Sequence, residues 1–438
     1  MKNTPDWLEP AVQAISIDDD GRTCADIPDS ACREEKNNFL RHVVSLTFSK
    51  SADGLVDPKL VLSWLMTHLG APVFLIGLLV PIRESGALLP QLFTAGYLRS
   101  RPQRKWVWSA GAVMQGLSAL GIALSALFME GLAAGIGIAG SLAVLAVSRS
   151  VCSVAYKDVL GKTVDKSHRG TATGLAGSLS AAVVIGFALL LTTGWIPRYA
   201  LVCGALALAG VIWMLAALNF LGLKEEKGAT EGGSNAITAA LENLTLLKKD
   251  PQLRRFIAVR GFLIATALAP PFMIAAATAE IDDPGSGYGD LGYLLFASAF
   301  ASLSSSWLWG YLADRSSRKV LMLSGFAGAI ALAATGVCSV MGVLGAPFVL
   351  PVLLFGLMLA YQGVRLGRST HLVDMADKET RAGYTALSNT IIGILLLLGG
   401  GFGLISSWTG PDVVLFIMAV MCALAGLVSF GLNEVQKS

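Results

Sequence analysis

Apolar residues along this chain fall into long blocks separated by short polar breaks, from about residue 42 almost to the C-terminus. An α-helix needs roughly 20 mostly apolar residues to cross a bilayer. By that measure the pattern predicts spans near 42–67, 73–98, 106–129, 132–156, 169–194 and 198–222. A polar stretch, 223–255, then opens with Lys224, Glu225, Glu226 and Lys227. Six more spans are predicted near 256–280, 288–313, 319–343, 346–371, 382–407 and 411–434. The division is therefore a polar extension at 1–40, a six-span bundle at 41–222, a linker at 223–255 and a second six-span bundle at 256–438. Within the linker, Ile237, Leu241, Leu244 and Leu247 recur every three or four residues, which predicts an amphipathic surface helix over 236–250.

Short loops test this layout independently, because Lys and Arg concentrate on the cytoplasmic side. Arg99, Arg101, Arg104, Lys105, Lys157, Lys162, Lys166 and Arg169 all fall on one side, as do Arg315, Arg318, Lys319, Lys378 and Arg381. The opposite loops hold Arg198 beside the acids Glu130, Glu280, Asp282, Asp283 and Asp412. Both termini and the linker are thus expected to be cytoplasmic. Residues 1–38 carry many charges and no apolar core of signal-peptide length.

Composition agrees. Of 438 residues, 54% are hydrophobic and only 14% charged, against about 25% charged in an average soluble domain. Mean hydropathy is +0.64. The chain is an all-α membrane protein whose main partner is the lipid bilayer. A net charge of +3 gives no reason to expect nucleic acid. Four of the six cysteines, Cys152, Cys203, Cys338 and Cys422, lie in apolar stretches, and the spacing of Cys24 and Cys32 matches no zinc pattern. No phosphate loop, dinucleotide fingerprint, nucleophile elbow or metal cluster is present, so neither a cofactor nor an enzymatic activity is expected.

The two halves repeat. GYLRSRPQRK at 96–105 aligns without gaps to GYLADRSSRK at 310–319, and DKSHRG at 165–170 aligns to DKETRA at 377–382. The offsets, 214 and 212 residues, are nearly constant, and both pairs occupy equivalent loops. On these spans, this repeat and the loop motif after spans two and eight, residues 40–434 resemble the major facilitator superfamily. The resemblance implies two parallel-repeat six-helix bundles that rock about a site near the bilayer midplane. It also implies a small-molecule or lipid-like substrate, a monomer, and residence in a bacterial inner membrane.

The loop motif comprises Gly96, Arg101, Arg104 and Lys105 in the first half, and Gly310, Asp314, Arg315, Arg318 and Lys319 in the second. Glycine would let two helix ends approach, and the acid would accept from amides at a helix N-terminus. The bases would reach carboxylates or lipid phosphate. Ser100 stands where the second half has Asp314, so the second loop is expected to keep the fuller latch.

Ionisable residues inside spans are costly and mark function by default. Span one carries Lys50, Asp53, Asp57 and Lys59; span two carries Arg83 and Glu84; span four carries Arg149. Formal charges of the first six sum to zero, which allows a neutral network between spans one and two. Helical spacing puts Lys50, Asp53 and Asp57 on one face with Lys59 pointing elsewhere, and puts Glu84 above Gln91. The second half offers Arg260 early in span seven and Arg365 and Arg368 toward the end of span ten.

A carboxylate that alternates between desolvation and a cationic partner can load and release a proton. Asp57, beside Pro58 near mid-span, is the first candidate, followed by Glu84 and then Asp53. Lys50, Lys59, Arg83, Gln91, Arg149 and Arg365 are candidates for the charge network or for contacting cargo. The leading function is a secondary active transporter, driven by protons or alternatively sodium, that exports or exchanges a solute. A membrane sensor or assembly scaffold on the same fold is the alternative. Four histidines, 42, 68, 168 and 371, fall near span ends and are expected to be interfacial, and Ser304, Ser305, Ser306, Trp307 and Trp309 are expected either to line a cavity or to bond their own helix.

Overall fold

The computed structural model describes residues 32–91, 100–228, 247, 250–280, 291–346, 348–376 and 381–436, without the side chains of 166, 167, 306, 307, 314, 381 and 382. The predicted linker helix at 236–250 and Gly96 therefore lie outside the described residues, apart from Leu247 and Asp250.

The described helices form twelve consecutive segments. In the first half, segment one is α1 (Glu35–Leu55) and α2 (Val61–His68), and segment two is α3 (Val73–Leu88). Then come α4 (Lys105–Phe128), α5 (Gly131–Thr163), α6 (Lys166–Thr193) and α7 (Arg198–Leu221). In the second half, segment seven is divided into α8 (Pro251–Leu263), α9 (Ala265–Leu268) and α10 (Pro270–Ala279). It is followed by α11 (Leu291–Arg315), α12 (Ser317–Val340) and α13 (Val349–Met375). Segment eleven is α14 (Arg381–Gly399) and α15 (Gly401–Thr409), and α16 (Pro411–Ser429) ends the fold. Among the described residues nine segments are long and apolar enough to cross a membrane. The other three are the interrupted segment one, segment two, whose predicted end lies beyond residue 91, and α11, whose apolar part is Leu291–Ser305.

Each interruption has a local cause. Pro58 has no backbone N–H and clashes with a preceding helical turn, so α1 stops at Leu55. The Asp57 carboxylate then accepts from the amides of Lys59 at 2.8 Å and Leu60 at 3.0 Å, which starts the next helical stretch. Pro270 and Pro271 restart segment seven as α10. In segment eleven, Gly399, Gly400 and Gly401 separate α14 from α15.

Within the first half α4 packs on α5 and α7, α1 on α6 and α7, and α3 on α5; within the second α12 packs on α13 and α16, and α11 on α13. Segments two and eleven meet across the halves, as do α6 and α11. One apolar core cluster spans both halves, with Leu65, Leu79 and Trp213 from the first and Phe272, Leu357 and Met418 from the second. The first and last described segments each meet a loop that joins an even segment to an odd one, through Glu34–Lys224 and Arg318–Glu434 contacts. These contacts mark the terminal face; the other is the far face.

On the far side the halves press together. A side chain at Gly77 of α3 would sit 2.7 Å from the Gly403 Cα of α15, so only glycine allows that approach. A side chain at Gly292 of α11 would meet the Ala188 carbonyl of α6 at 2.7 Å. Gly310 is different: among the described residues, a side chain there would meet nothing within 4 Å.

Candidate functional site

Asp53 lies near the end of α1 and is bracketed by two arginines from different helices. Its Oδ1 accepts from Arg83 Nη2 of α3 at 2.5 Å, and its Oδ2 pairs with Arg149 Nη2 of α5 at 3.2 Å. Arg149 also donates to Ser49 Oγ at 3.3 Å, the hydroxyl that receives the Trp213 indole N–H at 3.3 Å. Lys50, one turn earlier, donates to the Thr173 carbonyl of α6 at 3.1 Å. A single carboxylate thus ties segments one, two and four together, while the neighbouring lysine reaches segment five.

Two sequence expectations change here. Asp57 does not extend the face of Lys50 and Asp53, because α1 has ended and its carboxylate caps the next stretch. Lys59 does not point away from the site. The break resets the helical phase, and the Lys59 ammonium lies over the Tyr361 ring of α13, 3.5 Å from its centroid. Gln91 donates back to the Ala87 carbonyl of its own helical segment at 2.8 Å.

Glu84 faces the second half. It lines a cavity between the halves together with Arg260, Tyr361, Arg365 and Arg368. Glu84 makes no hydrogen bond or ion pair within 4 Å among the described residues, yet it feels the charges of Lys59, Arg83, Arg365 and Arg368. Arg260 is buried at 6% exposure and donates to Ser388 Oγ and, at 3.2 Å, to Asn389 Oδ1 of α14. Its Nε has no partner. Arg365 donates to Gln362 Oε1 at 3.3 Å and lies 6.0 Å from the Tyr361 ring centroid.

The structure thus brings Lys50, Asp53, Arg83 and Arg149 into one network, and joins Glu84 and Lys59 to the arginines of the second half. The three arginines of the second half sit deeper than the predicted spans place them. Helix α8 begins at Pro251 and α13 continues to Met375, so Arg260, Arg365 and Arg368 sit well inside their helices.

The loop motifs also depart from expectation. In the first half, Glu225 accepts from the backbone amides of Arg104 at 3.0 Å and Lys105 at 2.8 Å, and pairs with Lys162 at 3.2 Å. Arg104 also pairs with Asp158 of α5, and Lys105 Nζ donates to the Leu223 carbonyl at 2.6 Å. In the second half, Glu434 accepts from Ser316 Oγ at 2.6 Å and lies 3.5 Å from Arg318 Nε. Ser316 Oγ in turn caps α12 by accepting from Lys319 N at 3.1 Å, and Arg315 lies over the Tyr311 ring. In each half, the segment after the sixth helix returns a carboxylate to the loop after the second. Glu225, missed in the sequence, brings to the first loop a carboxylate that Ser100 does not supply. The Asp314 side chain lies outside the described residues.

Two of the histidines near span ends are buried between helices. His42 is fully buried and shares a 2.7 Å hydrogen bond with Thr163 Oγ1, and His371 at 1% exposure shares one of 2.9 Å with Ser317 Oγ. Ser304 and Ser305 donate to carbonyls of their own helix, and Trp309 Nε1 donates to the Leu359 carbonyl at 2.8 Å.

Two paired six-segment halves around a charged central cavity define a membrane transporter fold. The profile of the Major Facilitator Superfamily matches residues 47–361, and the chain belongs to that family. Among solved structures, it is similar to the nucleoside transporter NupG at a TM-score of 0.67 and 14% identity, over 91% of this chain and 100% of that one. It is also similar to a POT family transporter in complex with 5-aminolevulinic acid, at a TM-score of 0.66 and 10% identity, over 90% and 96% of the two chains. A D-xylose-proton symporter matches at 0.64 and 12% identity, over 92% and 98%. At these identities the likeness concerns the fold. No curated protein matches the chain in sequence at a significant level.

Proposed function

We propose that the chain is a proton-coupled secondary transporter working by alternating access, with both termini cytoplasmic and the cavity between residues 41–222 and 256–438 as its solute site. The observation that carries this reading is Glu84, a carboxylate of the first half that has no ion-pair partner among the described residues and faces Arg365 and Arg368 of the second. If the halves rock, the distance from Glu84 to those cations changes, and with it the stability of the charged carboxylate. The proton is then held when the cations withdraw and released when they return. Asp53 is held by two arginines of its own half, which would travel with it, and Asp57 is engaged as a cap. Glu84 is therefore ranked ahead of both. One structural neighbour is itself a proton symporter, which adds support for coupling by analogy alone.

The test is reconstitution in liposomes with an imposed pH gradient. The intact protein should accumulate or expel a solute in step with the gradient. Glu84→Gln should abolish gradient-driven movement yet keep equilibrium exchange. Gradient-driven transport by Glu84→Gln at the rate of the intact protein would remove Glu84 from the mechanism.

A further inference from the structure

Four cations gather about one carboxylate at the cavity. Arg260, Arg365 and Arg368 line it with Glu84, and Lys59 lies over the ring of Tyr361, another lining residue. None of the four has a carboxylate within ion-pair distance among the described residues. Arg260 is held by a hydroxyl and an amide oxygen, and its buried Nε has no partner. Among the described residues, the hydrogen bond of Arg365 goes to the Gln362 amide oxygen, and Arg368 makes no hydrogen bond or ion pair. The adjacent network does not make up the deficit. There Lys50, Arg83 and Arg149 stand against Asp53 and Asp57, which leaves a further net positive charge.

Cations gathered at one site repel one another, and the buried Lys59 and Arg260 are costly to desolvate without counter-charge. A neutral solute would leave that excess untouched, and a cationic one would add to it. Guanidinium groups present paired N–H donors that fit a carboxylate or phosphate with two parallel hydrogen bonds. Arg365 and Arg368 are three residues apart on α13 and lie on adjacent parts of one helix face. We propose that this cavity binds a small organic anion carrying two or more negative charges, as carboxylate or phosphate groups, through Arg365, Arg368 and Lys59. The inference rests on the transporter reading above. It adds the substrate class and gives Glu84 a second effect, because the charged carboxylate opposes the anion and the protonated one admits it. Proton and anion would then bind together.

The experiment is a thermal-unfolding titration of the full chain in phosphatidylcholine nanodiscs with citrate, succinate, glucose 6-phosphate and inorganic phosphate. Xylose, uridine and choline serve as neutral and cationic controls. At least one multivalent anion should raise the midpoint in a saturable way, and the controls should not. Arg365→Gln and Arg368→Gln, both on side chains that reach solvent or the open cavity, should each weaken that binding roughly tenfold or more. Arg365→Lys should recover part of the loss. Nanodiscs containing phosphatidic acid separate the sources: stabilisation there, lost in Arg365→Gln and without any response to soluble anions, assigns the same oxyanion site to a lipid headgroup. No response to any anion or to phosphatidic acid, in protein that stays monodisperse, overturns the inference. So does an anion response unchanged in both glutamine variants. A neutral control that stabilises the protein and is accumulated in liposomes would overturn the anion class and leave the transporter reading standing.

Discussion

In the first half, the membrane-embedded acid Asp53 takes one arginine on each oxygen, from two different helices. In the second half, Arg260 rests on Ser388 and Asn389, and Arg365 on Gln362. The two halves share a fold and a repeat, yet one satisfies its charges with charges and the other with neutral dipoles. A network tied through a shared carboxylate holds helices in register and offers a solute less. A network of cations held by hydroxyls and amides is oriented but not neutralised, so it retains attraction for an anion. Duplication supplied two similar scaffolds, and their charges now divide into a side that holds and a side that receives.

The largest expected effect breaks the paired side. Asp53→Asn leaves Arg83 and Arg149 partly buried without a carboxylate, and removing one partner of such a pair costs about 3–5 kcal/mol. Thermal unfolding in nanodiscs should show this loss, and Arg149→Gln added to Asp53→Asn should restore part of it. An unchanged midpoint in Asp53→Asn would mean that the triad is not a structural tie. Glu84→Gln should behave in the opposite manner. It removes no hydrogen bond or ion pair found among the described residues, so unfolding should change by less than about 1 kcal/mol while gradient-driven transport is lost.

Much of this contrast was visible in the sequence, but not its geometry. Lipid allows so few exceptions to apolar composition that the twelve segments could be read by length alone. The residues Lys50, Asp53, Arg83 and Arg149 stood out because charge inside a span is costly. What periodicity cannot give is rotation between helices, so the meeting of Asp53 with Arg149 across segments one and four was not legible. Arg260, Arg365 and Arg368 were placed too near the span ends because apolar windows stop before helices do. Helix α13 runs ten residues past Arg365. Lys59 was assigned the wrong direction because the phase was carried through Pro58. Glu225 carried no signal, being one acid in a polar linker, and its role appears only when the chain folds back.

Glu225 supplies the third test, of a smaller effect. Its side chain is fully buried, accepts two backbone amides and pairs with Lys162. Glu225→Gln keeps one acceptor oxygen and loses the charge, which should cost about 1–2 kcal/mol. Glu434 in the second half is more exposed and pairs with Arg318 at 3.5 Å. Glu434→Gln should cost less than about 1 kcal/mol. Equal losses in the two variants would mean that the difference in burial between these two carboxylates does not set their contribution.

The smallest effect separates two roles for Asp57, a residue that the sequence favoured as the proton carrier. A cap needs a side-chain oxygen that accepts from the amides two and three residues on, and asparagine provides one nearly as well as aspartate. A proton carrier needs a group that ionises, which asparagine cannot replace. Asp57→Asn should therefore keep both stability and gradient-driven transport, whereas Asp57→Ala should lose about 1 kcal/mol of stability through the uncapped amides of Lys59 and Leu60. Transport abolished in Asp57→Asn, with unfolding unchanged, would return proton coupling to segment one. The division between the halves would then be redrawn, with the first half both holding and titrating. Retained transport would leave Glu84, at the boundary between the halves, as the embedded carboxylate placed to sense their relative motion.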